Sequence, residues 1–344
     1  MVGIIVKNQQ AILILGMHRS GTSVLSRLCN LSGAYLGESV IEPAADNPKG
    51  FWENKDIVLL HDELLEQLNR QWDTTMPLPD RWWDSPKIAA TKQKLIDFLR
   101  DEFGDKPLWL VKDPRVCLLI PIWLDVLEEL NVAPHFLIVN RSPEEIVESL
   151  QKRNDMHRDA CHLLYLHHYL SAEYWSRQFP RSVVNYHDIL KDWHTVLIDI
   201  SQAATIDWPI QAWDGVKGIA DVVDSDLRHY EHEDFDRNDE LSNLVGSVSD
   251  ALLAMATGRQ VEGSHIRALD AVSEKLNLFE RVLAPWQSQI ELQVSALRES
   301  TNELVIERER YQSVQKELRK VDSARIKFLE ENKKLEAVRL EYQN

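Results

Sequence analysis

A glycine-containing segment near the N-terminus has the residues and the spacing to bind an anion. Residues 16–23 read Gly-Met-His-Arg-Ser-Gly-Thr-Ser and follow a short apolar run, Ala11–Leu15. From Ser23 onward apolar residues recur at helical spacing, so the segment is predicted to connect a buried strand to a helix. The backbone N–H groups of such a loop converge on one point, where the helix N-terminus adds partial positive charge. We expect a phosphate or a similar anion to bind there.

The segment departs at one position from the loop that binds nucleoside triphosphates. That loop reads G-x-x-x-x-G-K-[ST]; Gly16 and Gly21 have its spacing, but Thr22 occupies the position of the lysine. A kinase or an ATPase would lose its γ-phosphate contact by this change. Arg19, inside the loop, can supply a cation instead. A tight strand–helix turn that binds no ligand is the structural alternative.

Further basic residues follow two other predicted strands. Lys112 and Arg115 come directly after the second predicted strand, and Arg141 follows the third. Ligands of open α/β sheets bind at the carboxyl ends of the strands. We therefore expect these side chains to lie near the glycine-containing segment, although an ion pair through Asp113 is the structural alternative for Lys112 and Arg115.

The predicted elements alternate between strands and helices. Four buried strands are predicted, at Ala11–Leu15, Leu108–Val111, Phe136–Val139 and Val183–Tyr186. Helices are predicted at Ser23–Leu31, Lys55–Arg70, Lys87–Phe103, Leu118–Leu130, from Pro143, at Met156–Gln178 and at Ile189–Ala204, with helix alone from about Asn238. This order predicts an α/β fold with a central parallel sheet covered on both faces by helices. With the glycine-containing segment after the first strand, we predict a P-loop-like three-layer domain.

Beyond Pro285 the pattern changes to a heptad repeat. Apolar residues recur every seven positions in two columns, Ile290, Leu297, Leu304, Tyr311 and Leu318, and Val314, Val321, Phe328, Leu335 and Tyr342. Such columns are typical of a coiled coil. Polar interruptions, at Arg308, Arg325, Asn332 and Arg339, favour a weak or register-specific association. We predict a domain over residues 1–284 and a coiled-coil extension over 285–344 that joins copies of the chain or a partner protein; one long solvated helix is the alternative.

Composition argues against several classes of partner. The 344 residues include 39 Lys and Arg against 55 Asp and Glu, a net charge of −16, which argues against nucleic acid or an anionic membrane surface as the main partner. Three cysteines, Cys29, Cys117 and Cys161, are too few for a disulfide framework or a zinc site and favour a reducing compartment. No apolar segment is long enough for a secretory signal or a membrane span, so a cytoplasmic location is predicted.

The glycine-containing segment resembles the 5′-phosphosulfate-binding loop of sulfotransferases, a branch of the P-loop fold. The sulfuryl donor of that family is 3′-phosphoadenosine 5′-phosphosulfate. The resemblance implies that Arg19 contacts the phosphosulfate and steadies the leaving oxygen, while Thr22 and Ser23 help to hold the 5′-phosphate. It implies donor contacts along the whole loop, at Gly16, His18, Arg19, Ser20, Gly21, Thr22 and Ser23.

The segment Val139–Ser149 resembles the 3′-phosphate motif of the same family. There an Arg at a strand end and a Ser on the next helix clamp the phosphate, which implies this role for Arg141 and Ser149. An Arg supplies planar, charge-assisted hydrogen bonds to a phosphate. The later segment Val184–Leu190 resembles the family strand whose Tyr lies near the adenine, which implies that place for Tyr186.

Three further resemblances are weaker. Asn47–Asn54 resembles a segment of bacterial members in which an acidic residue enters the site, which implies that Glu53 is the general base. In the structural alternative, Glu53 stabilises the N-terminus of the helix that begins at Lys55. The segment 112–115 implies that Lys112 and Arg115 face the sulfuryl group or an anionic acceptor. Arg228 lies in a segment similar to a bacterial C-terminal signature, which makes it a weak candidate for substrate binding.

Two histidines and three tryptophans are second choices for roles in the site. Histidine is the side chain that titrates near neutrality, so His18 and His61 are alternative bases. His61 shares a helical stripe with apolar residues, which favours a buried structural role. Trp72, Trp82 and Trp83 lie in one predicted loop that is able to cover the acceptor site and stack on a sugar or lipid. Packing in the core or in a lid is their alternative role.

Together these features predict a sulfotransferase that transfers a sulfuryl group from 3′-phosphoadenosine 5′-phosphosulfate to an acceptor hydroxyl or amine, with saccharides and lipids as candidate acceptors and no metal. Glu53 would take the acceptor proton, and Arg19 would stabilise the charge on the leaving oxygen. Two alternatives stay open. One is a P-loop kinase or other nucleotide-binding protein, and the other is a coiled-coil scaffold whose degenerate P-loop only folds.

Overall fold

A four-stranded parallel sheet forms the centre of the fold. The computed structural model describes residues 9–44, 47, 50–213, 216–222, 235, 237–258 and 263–341. The strands are β1 (Gln9–Leu15), β2 (Leu108–Lys112), β3 (Val132–Asn140) and β4 (Arg181–Asn185). Their order across the sheet is β2-β1-β3-β4, and every neighbouring pair is parallel. The predicted α/β fold with a parallel sheet is confirmed.

The strand register brings four carboxyl ends to one edge of the sheet. Ile14 of β1 lies opposite Lys112 of β2, and Leu15 lies opposite Ile138 of β3. β3 begins four residues before its predicted start and includes Pro134. Proline lacks a backbone N–H, but β4 pairs with β3 only from Phe136, so Pro134 lies where β3 has a single neighbour.

Helices connect the strands and extend the chain beyond the sheet. They are α1 (Thr22–Leu31), α2 (Lys55–Gln67), α3 (Ala89–Phe103), α4 (Val116–Glu129), α5 (Pro143–Asn154), α6 (Arg158–Ser176), α7 (Tyr186–Ala203), α8 (Ile219–Val222), α9 (Glu240–Gly258) and α10 (Gly263–Glu341). Two short 3₁₀ turns, Trp82–Asp84 and Pro86–Ile88, precede α3. The helix predicted to start at Lys87 therefore starts as a 3₁₀ turn, and the predicted loop before it contains another.

Two hydrophobic cores lie on opposite faces of the sheet. Successive residues of a strand point to opposite faces, and β1 divides accordingly. Leu13 and Leu15 belong to one core together with residues of α4 and α6, while Ile12 and Ile14 belong to the other together with residues of α1 and α7. Helices therefore cover both faces of the sheet, as the predicted three-layer architecture requires.

The chain divides into two compact units, Met1–Glu280 and Arg281–Asn344, four residues before the predicted boundary. α10 is a helix of 79 residues that contains Pro285. The members of the two heptad columns from Ile290 to Leu335 are exposed, Leu297, Tyr311 and Leu335, for example, by 63–68%, whereas Tyr342 lies outside the described residues. Within the described residues, no helix combines the length and the apolar character needed to cross a membrane.

Candidate functional site

The glycine-containing segment forms a tight loop between β1 and α1. Gly21, immediately before α1, has φ 94°, and Arg19 has φ 71°, a left-handed conformation that side chains other than glycine rarely adopt. A Cβ atom on Gly21 would lie 2.1 Å from Cδ2 of Tyr186. Glycine is therefore required at position 21 for two reasons, its backbone conformation and the Tyr186 ring packed against it.

The N-terminus of α1 lies at this loop without a capping side chain. Gly21 precedes the helix and offers no side-chain acceptor, and the first turn contains no acidic residue. The first N–H groups of a helix have no intrahelical acceptor and carry partial positive charge. The predicted strand–loop–helix segment is confirmed, and its helix end has the electrostatics that an anion requires.

Lys112 places a buried cation beside the same helix end. Its Nζ lies at the end of β2, 3.2 Å from Oγ of Ser23, 3.0 Å from the carbonyl oxygen of Phe51 and 2.5 Å from Oε1 of Glu53. The residue is 4% exposed. A lysine from the neighbouring strand thus reaches the first turn of α1, where Thr22 stands in place of a loop lysine.

Glu53 faces Lys112 and not the N-terminus of α2. Asn54 caps α2, because its Oδ1 accepts hydrogen bonds from the backbone N–H groups of Asp56 and Ile57 at 3.0 and 3.1 Å. Burial raises the pKa of Glu53, and the charge of Lys112 opposes that rise only in part. The carboxyl group is therefore easier to protonate than an ordinary glutamate while it is held beside a cation.

Arg115, at the start of α4, is engaged by carboxylates. Its backbone N–H and its Nη1 both donate to Oδ1 of Asp113 at 3.0 Å, and its Nε lies 2.8 Å from Oδ1 of Asp62. For Lys112 and Arg115 the sequence left open an ion pair with Asp113 in place of a ligand contact. Arg115 forms that ion pair, whereas Lys112 pairs with Glu53. Of the two basic residues in this segment, Lys112 is the one that contacts the α1 end.

His61 has the buried position that its helical stripe predicts. Its Nδ1 lies 2.7 Å from Oδ2 of Asp113, and Nε1–H of Trp123 donates to its Nε2 at 2.9 Å. Because Nε2 of His61 accepts the hydrogen bond from Trp123, Nδ1 carries the ring hydrogen and donates it to the carboxylate of Asp113. Burial would raise the pKa of Asp113, but the charge of Arg115 and the hydrogen bond from His61 hold that pKa well below its usual range.

Arg141 and Ser149 converge on the backbone and side chain of Arg19. Nη1 of Arg141, at the end of β3, donates to the carbonyl oxygen of Arg19 at 2.9 Å. Nε of Arg19 donates to Oγ of Ser149, on α5, at 2.7 Å. The guanidinium carbon of Arg141 lies 4.6 Å from the centre of the Tyr186 ring. The β1–α1 loop, the end of β3, α5 and the start of α7 thus bring together four residues singled out in the sequence.

Glu145, an acid in the first turn of α5, is a fully buried member of this cluster. Its Oε2 lies 2.5 Å from Nε of Arg141, and its Oε1 lies 2.9 Å from Nε2 of His187. Burial alone would raise the pKa of Glu145, but the hydrogen bond from His187 and the charge of Arg141 lower it below the ordinary value. The four-residue spacing from Arg141 to Glu145 is the feature of the sequence from which this ion pair could have been predicted.

His18 lies against Trp72 and His168. The centre of its ring is 4.7 Å from that of Trp72 and 6.1 Å from that of His168. Burial and the neighbouring His168 hold the pKa of His18 well below its ordinary value. Within the part of the chain that the structure describes, Nε2 of His18 has no hydrogen-bond partner.

The three tryptophans of the predicted loop have different surroundings. Trp72 contacts the glycine-containing loop through His18, and its ring lies 5.4 Å from the guanidinium carbon of Arg153. Trp82 is 5% exposed, and the ring of Trp83 packs edge-on against Trp175 at 5.4 Å. Only Trp72 of the three is adjacent to the loop, while the others follow the core-packing alternative.

Two sequence observations fall on positions that cannot be compared with the fold. Arg228, with its flanking residues 227 and 229, lies outside the described residues, as do residues 48 and 49 of the segment that resembles bacterial members. Among the residues that are described, no group of three or more His, Cys, Asp and Glu side chains is arranged to hold a metal ion.

Comparisons with known proteins give similarity to two solved structures. One is the sulfotransferase domain from the Synechococcus PCC 7002 olefin synthase, with a TM-score of 0.37 and 14% identity over 78% of this chain and 96% of that chain. The other is the sulfotransferase domain from the curacin biosynthetic pathway, with a TM-score of 0.34 and 18% identity over 77% of this chain and 98% of that chain. No family model and no curated protein sequence matches the chain. Because the identities and TM-scores are this low, the reaction has to be inferred from the residues of the site itself.

Proposed function

We propose that the chain is a sulfotransferase that transfers a sulfuryl group from 3′-phosphoadenosine 5′-phosphosulfate to an acceptor hydroxyl or amine. The position of Lys112 carries the proposal, because its ammonium group lies between Ser23 of the uncapped α1 end and the carboxyl group of Glu53. The reaction needs an anion site and a proton acceptor side by side. Lys112 contacts both.

The basic residues of the site fit the two ends of the donor. Lys112, Arg19 and the α1 N-terminus suit the phosphosulfate end, and Gly21 keeps the backbone clear of a side chain there. Arg141 and Ser149 suit the 3′-phosphate, and both contact Arg19. Glu145 balances the charge of Arg141 and fixes the orientation of its guanidinium group, because the pair is buried.

The proposed reaction forms one bond to sulfur and breaks another, and residues of the site take up the proton and the developing charge. The acceptor oxygen or nitrogen forms a bond to sulfur while the bond between sulfur and the bridging oxygen of the donor breaks, which leaves 3′-phosphoadenosine 5′-phosphate. Glu53 takes the acceptor proton, and its pKa, which burial raises, makes its carboxylate a stronger base than that of an ordinary glutamate. Lys112 and Arg19 stabilise the charge that develops on the bridging oxygen. A sulfuryl group carries less charge than a phosphoryl group, so the reaction does not strictly require a catalytic metal.

We place the acceptor on the side of the loop that Trp72 covers. The ring of Trp72 lies against His18 of the loop, and an aromatic face suits a sugar ring or the polar end of a lipid. His18, as a neutral imidazole, is the second candidate for the proton acceptor. This placement assigns the acceptor class to saccharides or lipids with a reactive hydroxyl or amine.

Ligand-dependent thermal stability separates this proposal from its rivals. A ligand that binds only the folded state raises the melting temperature. We expect 3′-phosphoadenosine 5′-phosphate to raise it and ATP with Mg²⁺ to leave it nearly unchanged. The reverse result would favour a P-loop kinase, and no effect of either nucleotide would favour a scaffold with a degenerate loop.

A further inference from the structure

The second unit carries a long apolar face whose described residues are exposed. In a heptad register, Leu297, Leu304, Tyr311, Leu318, Arg325, Asn332 and Arg339 occupy a positions, and Gln293, Ser300, Glu307, Val314, Val321, Phe328 and Leu335 occupy d positions. We call these 14 residues the heptad face; all of them are exposed. The apolar members are 60–68% exposed, which is the exposure of side chains that a coiled-coil partner would bury.

The polar residues of the heptad face are distributed unequally between its halves. In the N-terminal half they occupy d positions, at Gln293, Ser300 and Glu307, whereas the a positions are apolar. In the C-terminal half they occupy a positions, at Arg325, Asn332 and Arg339, whereas the d positions are apolar. The two halves are therefore complementary to each other.

We propose that the heptad face binds the heptad face of a second copy of the chain in an antiparallel coiled coil, with Glu307 of each copy opposite Arg325 of the other. In an antiparallel pair, a positions of one helix share layers with d positions of its partner. This register forms four kinds of apolar layer, each present twice because of the two-fold symmetry: Leu297 with Leu335, Leu304 with Phe328, Tyr311 with Val321, and Leu318 with Val314. It also places polar residues together, Ser300 with Asn332 and Gln293 with Arg339.

Other arrangements of two copies bury charges less favourably. A parallel pair in register places Arg325 against Arg325 and Glu307 against Glu307, so like charges meet inside the interface. An antiparallel pair shifted by one heptad places either Glu307 against Leu318 or Arg325 against Val314. The proposed register is the one among these in which each charge on the face meets a polar group that does not carry the same charge.

The flanking positions contain one favourable and two unfavourable pairs in this register. Glu303 and Glu331, both at g positions, lie at nearly the same level on opposite copies with like charges. Arg308 and Asp322 both occupy e positions and lie at nearly the same level on opposite copies, with opposite charges. Glu317, at a g position, lies close to Glu317 of the other copy beside the two-fold axis. Arg310, at the preceding g position, lies about five residues, or roughly 7.5 Å along the axis, from that glutamate and offsets part of the repulsion. Register is therefore specified mainly by Glu307 and Arg325.

A charge-swap cycle on the full chain tests the register. Sedimentation equilibrium gives the dimer dissociation constant of wild type, Arg325→Glu, Glu307→Arg and the double variant. We expect each single variant to weaken dimerisation about tenfold or more, because like charges then face each other, and the double variant to recover most of the loss. Lys316→Glu, at an outward f position, is the matched control with the same charge change and should have little effect.

The outcomes distinguish this pairing from its alternatives. A monomeric wild type would overturn the proposal, and single variants without effect, or a double variant without recovery, would overturn the register.

Cross-linking supplies an independent readout, since the three native cysteines are buried. Leu297→Cys should cross-link to Leu335→Cys in mixed dimers and not to itself, because about 38 residues, or roughly 57 Å of helix, separate the two layers. Self-cross-linking of Leu297→Cys would show a parallel pair. The pairing does not depend on the proposed reaction.

Discussion

Nζ of Lys112 lies 2.5 Å from Oε1 of Glu53, and the two side chains are only 4% and 11% exposed. They come from different elements, the end of β2 and the segment before α2. A buried ion pair of this kind contributes little net stability, because desolvation offsets much of the Coulombic attraction. Its position beside Ser23 gives it a chemical use instead, since it joins the uncapped end of α1 to the carboxyl group proposed as the base.

Replacing Glu53 with glutamine tests the proposed base. Glu53→Gln keeps the size of the side chain but removes the proton acceptor, so we expect sulfuryl transfer to fall about 10²–10⁴-fold while the affinity for 3′-phosphoadenosine 5′-phosphate changes little. Wild-type activity should rise with pH as Glu53 ionises, above the range of an ordinary glutamate, because its pKa is raised. The variant should lack that rise.

The matched control is Asp56→Asn, which changes a nearby acid in the first turn of α2. It should retain wild-type activity. A Glu53→Gln enzyme with the wild-type rate and pH profile would transfer the role to the second candidate, His18. His18→Gln should then show the loss expected here for Glu53→Gln.

Removing Lys112 should destabilise the fold through Glu53. Lys112→Met leaves the buried carboxylate without its cation, and breaking a buried pair on one side costs about 3 kcal/mol of unfolding free energy. Urea unfolding measures the loss. It should be smaller at low pH, where Glu53 takes a proton, and Glu53→Gln in the same chain should restore part of the stability. Equal losses in the single and double variants would contradict the pairing.

Gly21→Ala should disrupt the anion site. Its Cβ would lie 2.1 Å from the Tyr186 ring, and residue 21 has φ 94°. We expect the affinity for 3′-phosphoadenosine 5′-phosphate to fall about tenfold or more, measured by calorimetry, since an alanine at this φ costs on the order of 1 kcal/mol before any clash. Gly218→Ala is the matched control, because Gly218 has φ 86° with no atom within 4 Å of its added Cβ. Normal affinity in Gly21→Ala would contradict the proposed loop.

His168 should make the fold less stable in mild acid. Burial lowers its pKa to about 4, whereas an unfolded histidine titrates near 6.5. Between these values the unfolded chain binds a proton that the folded chain does not, so stability falls as pH drops from about 6.5 to about 4, by up to about 3 kcal/mol. His168→Gln should lose this part of the pH dependence, while His194→Gln, at an exposed position, should retain it. Identical pH dependence in wild type and His168→Gln would contradict the shift.

Local patterns in the sequence predict the sheet and the loop well. Ala11–Leu15 is a continuous apolar run, and a strand buried on both faces requires one. The order of strands and helices then places Lys112 and Arg141 at the same edge as Gly16–Ser23, because parallel strands share their carboxyl ends. Arg19, Arg141 and Ser149 were predicted near a common ligand, and the fold brings Arg141 and Ser149 each within hydrogen-bond distance of Arg19.

The partners of these side chains were not predictable from local patterns. Lys112 and Arg115 are both basic in the sequence, and only the fold shows that Lys112 pairs with Glu53. Arg115 pairs with Asp113 and with Asp62 of α2. The division of the three tryptophans, with Trp72 at the loop and Trp83 against Trp175, likewise depends on long-range packing. A single sequence contains no signal for such contacts.

Calorimetric titration with 3′-phosphoadenosine 5′-phosphate and with adenosine 5′-monophosphate tests the donor site most directly. The two ligands differ only in the 3′-phosphate, which the proposal assigns to Arg141 and Ser149. Wild type, Arg141→Ala and Ser149→Ala are compared with Arg100→Ala, an exposed residue of α3, after their unfolding curves establish that each is folded. We expect wild type and Arg100→Ala to prefer the bisphosphate by about 10²-fold and Arg141→Ala to lose most of that preference. Equal affinity of wild type for the two nucleotides, or an unchanged preference in Arg141→Ala, would contradict the proposed donor site.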